Sequence, residues 1–345
     1  MIQATWLLRL RLITFTVGFE GKQYNEIDYA NEFSKSIGVK HISKVISADE
    51  YFDNFSNIQY HMDEPLADPA AIALYFVSRL ASEHVKVVLS GEGADELFGG
   101  YKVYREPFTA VSYNKIPFGI RKIIGKIASL FPKVRGFNFL IRRGKKISEW
   151  FIGGANIFSL KERNAILKKD IRAAAPDKVC KKFYIKSKDY DTATRMQYLD
   201  INMWLCGDIL LKADKTSMAN SLELRVPFLD KEVAKLALSL PTNCRVDAKT
   251  TKKALREAAK KTILEFTANK EKLGFPVPIR VWLREEKYYN KVKEAFLSQE
   301  AKQFFKTKKL VKMLKIHKKG KKDLSRKIWS VYTFLCWYDE FFVKR

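Results

Sequence analysis

The sequence predicts an α/β fold: a doubly wound parallel sheet, followed along the chain by a large helical region. Three observations carry this expectation. Over the first hundred residues β-branched runs alternate with stretches of helical period. A glycine-rich loop follows the third of those runs directly, and beyond Tyr101 the strand signals fade. Alternation of this kind belongs to βαβ units with a parallel sheet.

Taken in order, the run over 12–17 is β-branched and aromatic and stops at Gly18, the pattern of a buried strand. Over 25–37 the apolar positions Ile27, Ala30, Phe33 and Ile37 fall at helical spacing, and Gly38 stands where a left-handed C-cap belongs. Residues 41–46 read as a second strand. Ser47 and Glu50 have capping-box spacing and open a helix expected to run to about His61. The turn over 63–69 stops it, and Pro69 can begin the next helix, 70–82. Residues 85–89 form the third buried strand. Ligands of such sheets bind beyond the carboxyl ends of the strands, where the loop after Leu89 sits. Residues 115–149 mix Gly, Pro and basic side chains, as in a connection with short helices, and from Ser159 onward the pattern is mainly helical. The expected division is an α/β nucleotide-binding core over 1–110, a variable connection over 111–160 and a helical part over 161–345.

Apolar residues make up 47% of the 345, which marks a folded globular protein rather than a disordered one. The four cysteines, Cys180, Cys206, Cys244 and Cys336, form no Cys-x-x-Cys pair, which argues against a zinc site or a disulfide framework and for a reduced, cytoplasmic protein. Arg9 and Arg11 interrupt the apolar start, so no secretory leader is read there. Residues 328–343 are aromatic-rich but include Asp339 and Glu340, and they read as a buried terminal helix. No membrane partner is expected. The net charge of +26 favours polyanions in general. Much of it lies in a lysine-rich stretch over 302–322, without the arginine and glycine of RNA-binding segments, so nucleic acid is not the expected partner.

Chemistry concentrates in three segments. The third strand runs into a loop over 90–101, where Gly91 and Gly93 let backbone N–H groups approach an anion closely. Glu92, Asp95 and Glu96 in the same loop would repel a bare phosphate and make sense with Mg²⁺ between carboxylate and phosphate; an ordinary turn with a solvated acidic face is the alternative. The segment over 211–230 places Glu223 and Arg225 two apart beside Pro227, suited either to orienting a polar substrate or to a structural ion pair. The third, 272–278, sets Lys272 before a Gly-Pro-rich loop, from which a lysine can reach into a site as a point charge.

In this order, these segments resemble the synthetase domain of glutamine-dependent asparagine synthetases over roughly 12–340. The resemblance also takes in Asp63, Glu64, Pro65, Asp68 and Pro69, and an ending with His317, Gly320, Asp323 and Trp329. It implies a fold of the ATP-pyrophosphatase type and a reaction in which ATP and aspartate give β-aspartyl-AMP, from which ammonia displaces AMP. It implies roles as well: Val17 lining the adenine pocket, Ser90 and Gly91 contacting ATP, and Asp95 holding Mg²⁺. Glu92 would bind the amino acid or accept a proton from ammonia, and Lys272 would stabilise charge on the phosphate. Related enzymes of this fold act on other carboxylates.

Two departures stand out. That family's first phosphate loop, Ser-Gly-Gly-x-Asp-Ser after a first strand, is absent from the sequence, and so is a glutaminase domain with its N-terminal cysteine. The chain is therefore expected to be a truncated or split enzyme, inactive alone or fed by free ammonia or by a separate glutaminase or N-terminal chain.

Overall fold

The computed structural model describes residues 12–21, 24–109, 111–131, 136–154, 156–171, 174–270 and 274–344. Strand β1 (Ile13–Phe19) has its last three residues buried and pairs in parallel with β2 (Lys40–Ile46), Ile13 opposite Lys40 and Phe19 opposite Ile46. The crossover is α1 (Ile27–Ser36), and Gly38 follows it at φ +70°, the left-handed position that a residue without Cβ adopts freely. Ser47 caps the next helix as expected: its hydroxyl accepts from Glu50 N at 3.1 Å while the Glu50 carboxylate accepts from Ser47 N at 3.2 Å. That helix does not reach His61 unbroken. It splits at Asn54, whose side-chain amide donates back to Glu50 O at 2.8 Å, into α2 (Ala48–Asp53) and α3 (Phe55–Met62). Helix α4 (Ala70–Ser82) occupies the expected span, and the third strand is the short β3 (Val87–Leu89), followed by α5 (Ala94–Phe98).

The connection over 111–160 contains a helical hairpin, α6 (Phe118–Ser129) and α7 (Phe137–Arg143). Further on, α8 (Thr192–Asp200) passes through π-helical turns over Ile201–Ile209 into α9 (Leu210–Met218). A strand that the sequence pattern did not show comes next: β4 (Glu223–Arg225), parallel to β3 with Val87 opposite Glu223 and Leu89 opposite Arg225. The principal closing helices are α10 (Glu286–Leu297), α11 (Thr307–Lys318) and α12 (Ser325–Phe342).

The expectation of one doubly wound sheet needs correction. Among the described residues the parallel strands form two separate ribbons, β1–β2 and β3–β4. Both rest on one helical layer, since α4 packs on β1 and β2, α9 packs on β4, and the two helices pack on each other. The other face of β3 is open to solvent, with Val87 51% and Leu89 74% exposed. In a doubly wound sheet both faces are covered.

The main core gathers side chains from β1, α2–α4 and the C-terminal helices. The terminal helix is buried over its first half, where Ile328 and Trp329 are fully enclosed and the Trp329 ring lies 4.6 Å from that of Phe55 and 5.6 Å from that of Tyr51, while Phe342 and Val343 at its end are exposed. Large buried aromatics of this kind dominate a core's stabilisation. A second cluster, with Tyr104, Phe151, Cys180 and Met196, lies beside α8, and a third holds Leu97 and Phe98 of α5.

Candidate active site

Strand β3 delivers the chain into the glycine loop, and β4 fixes where that loop begins, because Ser90 N donates to Arg225 O at 2.9 Å. Gly91 is exposed, with open space where a Cβ would stand. Gly93 enters α5 at φ +86°, and the Leu229 side chain lies where a Cβ at that position would go. Leu229 thus seals the underside of the loop, and its neighbour Phe228 meets the Phe98 ring edge-on at 6.2 Å. Asp230 then accepts from Glu232 N at 2.9 Å and caps the following helix. The 227–230 segment is therefore the physical support of the 90–101 loop.

Asp95, in the first turn of α5, is mostly enclosed, and its Oδ1 lies 2.9 Å from Lys252 Nζ. Gly100 N donates to Asp95 O at 2.7 Å, and a Cβ at Gly100 would run into the Asp95 carboxylate. Lys252 in turn lines a cavity of about 440 Å³ with Arg256, Lys270 and Gly274. Arg256 ties this wall together, donating to the carbonyls of Thr251, Ala268 and Lys270 at 2.8–2.9 Å. Lys270 pairs with Glu26 at 2.6 Å and sits 3.6 Å from the centre of the Tyr29 ring. The result is a pocket rich in cationic side chains, connected to the loop through the Lys252–Asp95 pair and lined also by Glu26.

A buried ionic cluster joins two more of the sequence segments. Lys212 Nζ bonds to Asp68 and lies 3.0 Å from Asp208 Oδ2, and all three side chains are nearly enclosed. Burial alone would raise Asp68, but the Lys212 ammonium overcomes it and holds that carboxyl below the usual range. Asp208 is pushed up to about 6, chiefly by burial. Burial would lower Lys212, yet its two carboxylates raise it. Nearby, Lys215 pairs with Asp63.

Behind the loop runs a polar relay. The Tyr101 hydroxyl donates to the buried Glu96, Gln197 Nε2 donates to Glu96 O at 2.9 Å, and the Tyr104 hydroxyl donates to Asp200 at 2.6 Å. Burial pushes Asp200 up to about 7; the Tyr104 hydrogen bond opposes this and the Glu96 charge adds to it. Burial and the Glu96 charge raise Tyr101 well above the ordinary phenol.

Of the residues expected from the sequence, Ser90, Gly91, Glu92 and Asp95 share this one loop. Val17 lies in the other ribbon with its side chain buried in the main core, so it would meet a ligand through its main chain. Lys272 lies outside the described residues. Glu223 and Arg225 bond to each other on β4, the ion-pair alternative. Mg²⁺ takes one or two carboxylates together with phosphate and water oxygens. Here Asp95 is engaged by Lys252, and no group of three His, Cys, Asp or Glu that could hold a metal stands among the described residues. A Mg²⁺ held by Asp95 together with phosphate and water oxygens would need that carboxylate freed from Lys252. The sequence reading missed Lys252 and Asp200, which carry no local signal; the Asp208–Lys212 pair, at i, i+4 spacing, was open to detection.

A parallel strand running into a glycine loop, tied through the Asp95–Lys252 pair to a lysine- and arginine-lined cavity, is the arrangement of an α/β protein, a class in which ligands bind beyond the strand ends. The chain belongs to the asparagine synthase family, which it matches over residues 4–339. It is 44% identical over 328 residues to the glutamine-hydrolysing asparagine synthetase 1 of Bacillus subtilis (strain 168), covering 95% of this chain and 52% of that protein. It is 43% identical over 333 residues to a putative glutamine-hydrolysing asparagine synthetase of Mycobacterium tuberculosis (strain H37Rv), covering 95% and 50%. A putative relative in Methanocaldococcus jannaschii is 29% identical over 229 residues. The chain spans about half the length of the first two relatives. No helix among the described residues is long and apolar enough to cross a membrane.

Proposed function

We propose that the chain carries the ATP-dependent, amide-forming half of asparagine synthesis. The β-carboxylate of aspartate attacks the α-phosphorus of ATP, pyrophosphate leaves, and ammonia displaces AMP from the acyl phosphate to give the amide. The observation that supports this reading is the Ser90–Gly93 loop at the end of β3, buttressed by Leu229 and tied through the Asp95–Lys252 pair to the Lys252–Arg256–Lys270 cavity. The Gly91 backbone N–H and the Ser90 hydroxyl would contact the nucleotide, since the Ser90 N–H is held by Arg225 O; Val17 would present its main chain toward the adenine, and the cavity lysines would offset the phosphate charge. Glu92 is assigned to the amino group of the substrate or to the proton released by ammonia, and Lys272 to charge on the phosphate during adenylation. Asp95 is the carboxylate assigned to Mg²⁺, which would require Lys252 to release it.

The test is aspartate-dependent ATP–pyrophosphate exchange, followed by asparagine formation from ammonium. Exchange with a different carboxylate and not with aspartate would move the chain to another amide-forming substrate. A second reading, a chain active only beside a partner chain, is favoured by the separation of the two ribbons, each with free strand edges among the described residues. Exchange that appears only when a glutaminase or N-terminal chain is added would select it.

A further inference from the structure

The hairpin α6–α7 is not used by any of this chemistry. Its two helices meet at glycines: a Cβ on Gly125 would stand 3.1 Å from Gly144 Cα and 3.1 Å from Leu140 O, so the backbones pack directly. The face of α6 turned toward α7 carries Arg121, Ile124, Gly125 and Ala128, all buried or half-buried. A second apolar stripe points away from it. Ile120, Ile123, Ile127 and Leu130 recur at helical spacing and are 50%, 60%, 56% and 74% exposed. Lys122 and Lys126 form the third face, on the flank of that stripe.

The surrounding charge is of one sign. From 107 to 148 the sequence holds ten lysines and arginines and no acidic residue. At the start of α6 the hairpin borders a cavity of about 450 Å³ lined by Arg121, Arg142, Arg143, Lys145, Lys146 and Arg195. Glu106 is the carboxylate that meets this group, 3.3 Å from Arg142 Nε. Arg143 is buried, and the Nε atoms of Arg143 and Arg195 are enclosed without a hydrogen-bond partner among the described residues. Buried donors of this kind are costly to leave unmatched.

We propose that the α6–α7 hairpin docks on an anionic phospholipid surface, with the isoleucine stripe of α6 lying in the interface and the arginine–lysine cavity taking a phosphate headgroup. Helices that lie in the plane of a membrane combine an apolar stripe with a basic flank, and apolar insertion and charge attraction add in their binding. No span is needed, so this surface is compatible with the lack of a membrane-crossing helix among the described residues. The exposed stripe is aliphatic, whereas single-stranded nucleic acid is held on aromatic platforms.

The test is co-sedimentation of the full 345-residue chain with phosphatidylcholine vesicles, with and without phosphatidylglycerol. The chain should pellet with the anionic vesicles and stay in solution with the neutral ones. Ile123→Ser with Ile127→Ser should weaken partition at least tenfold, as should the independent pair Lys122→Glu and Lys126→Glu, with circular dichroism and Tm unchanged. Neutralising Lys318 and Lys319 in the C-terminal lysine-rich stretch should change partition less than twofold, and inorganic phosphate should not displace the chain. An Ile123→Ser/Ile127→Ser variant that binds as wild type would reduce the effect to bulk charge and overturn the proposal. So would displacement by inorganic phosphate, stronger binding to a short RNA that ignores the isoleucine changes, or a solution dimer that these changes dissociate.

Discussion

Replacing Asp200 with Asn probes the relay behind the glycine loop. The carboxyl is buried against the Tyr104 hydroxyl at 2.6 Å and titrates near 7 in the fold, against an ordinary 3.8. A folded-state value raised above the unfolded one means that the native chain binds a proton the unfolded chain has lost. Stability therefore falls as pH rises between those two values, and the contribution is complete below the lower one. At about 1.4 kcal/mol per pH unit, the span of roughly three units corresponds to about 4 kcal/mol, an upper figure. Asn keeps an acceptor for Tyr104 and does not titrate. Urea unfolding followed by tryptophan fluorescence should give similar stabilities for the two proteins near pH 4. At pH 8 Asp200→Asn should be the more stable by about 2–4 kcal/mol. Parallel pH profiles, or a variant less stable at pH 8, would refute the assignment of a buried, mostly protonated Asp200.

Gly93→Ala should cost about 1–2 kcal/mol for the left-handed backbone alone, plus the displacement of Leu229, and should weaken ATP binding in equilibrium titration. Lys212→Met leaves Asp68 and Asp208 facing each other in the interior, and denaturant unfolding at pH 7.5 should show a loss of about 3–5 kcal/mol; lowering the pH to 5 should recover part of it as Asp208 protonates. In ATP–pyrophosphate exchange, Lys272→Ala should lower the rate far more than it changes Tm, and an unchanged rate would remove Lys272 from the site. Asp95→Asn should shift the Mg²⁺ dependence of exchange, and an unaltered dependence would leave Asp95 as the structural partner of Lys252.

Local signals in the sequence were read where a side chain acts on its own backbone. The Ser47–Glu50 box, the left-handed Gly38 and the α4 span all stand as their residues dictate, since capping and helical period need nothing from distant chain. The break at Asn54 was missed because Asn competes for a backbone carbonyl inside a run whose apolar spacing continues unbroken. Strand β4 was missed for a different reason: Glu-Leu-Arg has no strand pattern of its own, and β3 alone makes it a strand. At the candidate site the glycine loop was legible, as were the ions of the 63–69 and 211–230 segments. Which ions meet was not, because the Lys252–Asp95 pair depends on a close approach across some 150 residues of sequence.

The pairing of β3 with β4 also fixes an order of assembly. The loop that begins at Ser90 is anchored to Arg225, which leaves the ribosome well over a hundred residues later. Pairings so far apart in sequence carry a large loop-closure entropy and form late. The β1–α1–β2 unit and α2–α4 can become structured during synthesis, but the glycine loop has no fixed edge until β4 and its Leu229 buttress arrive. Until then Val87 and Leu89 form a short apolar edge without a mate, so the interval between those two events is when this chain is most exposed to pairing with the wrong strand.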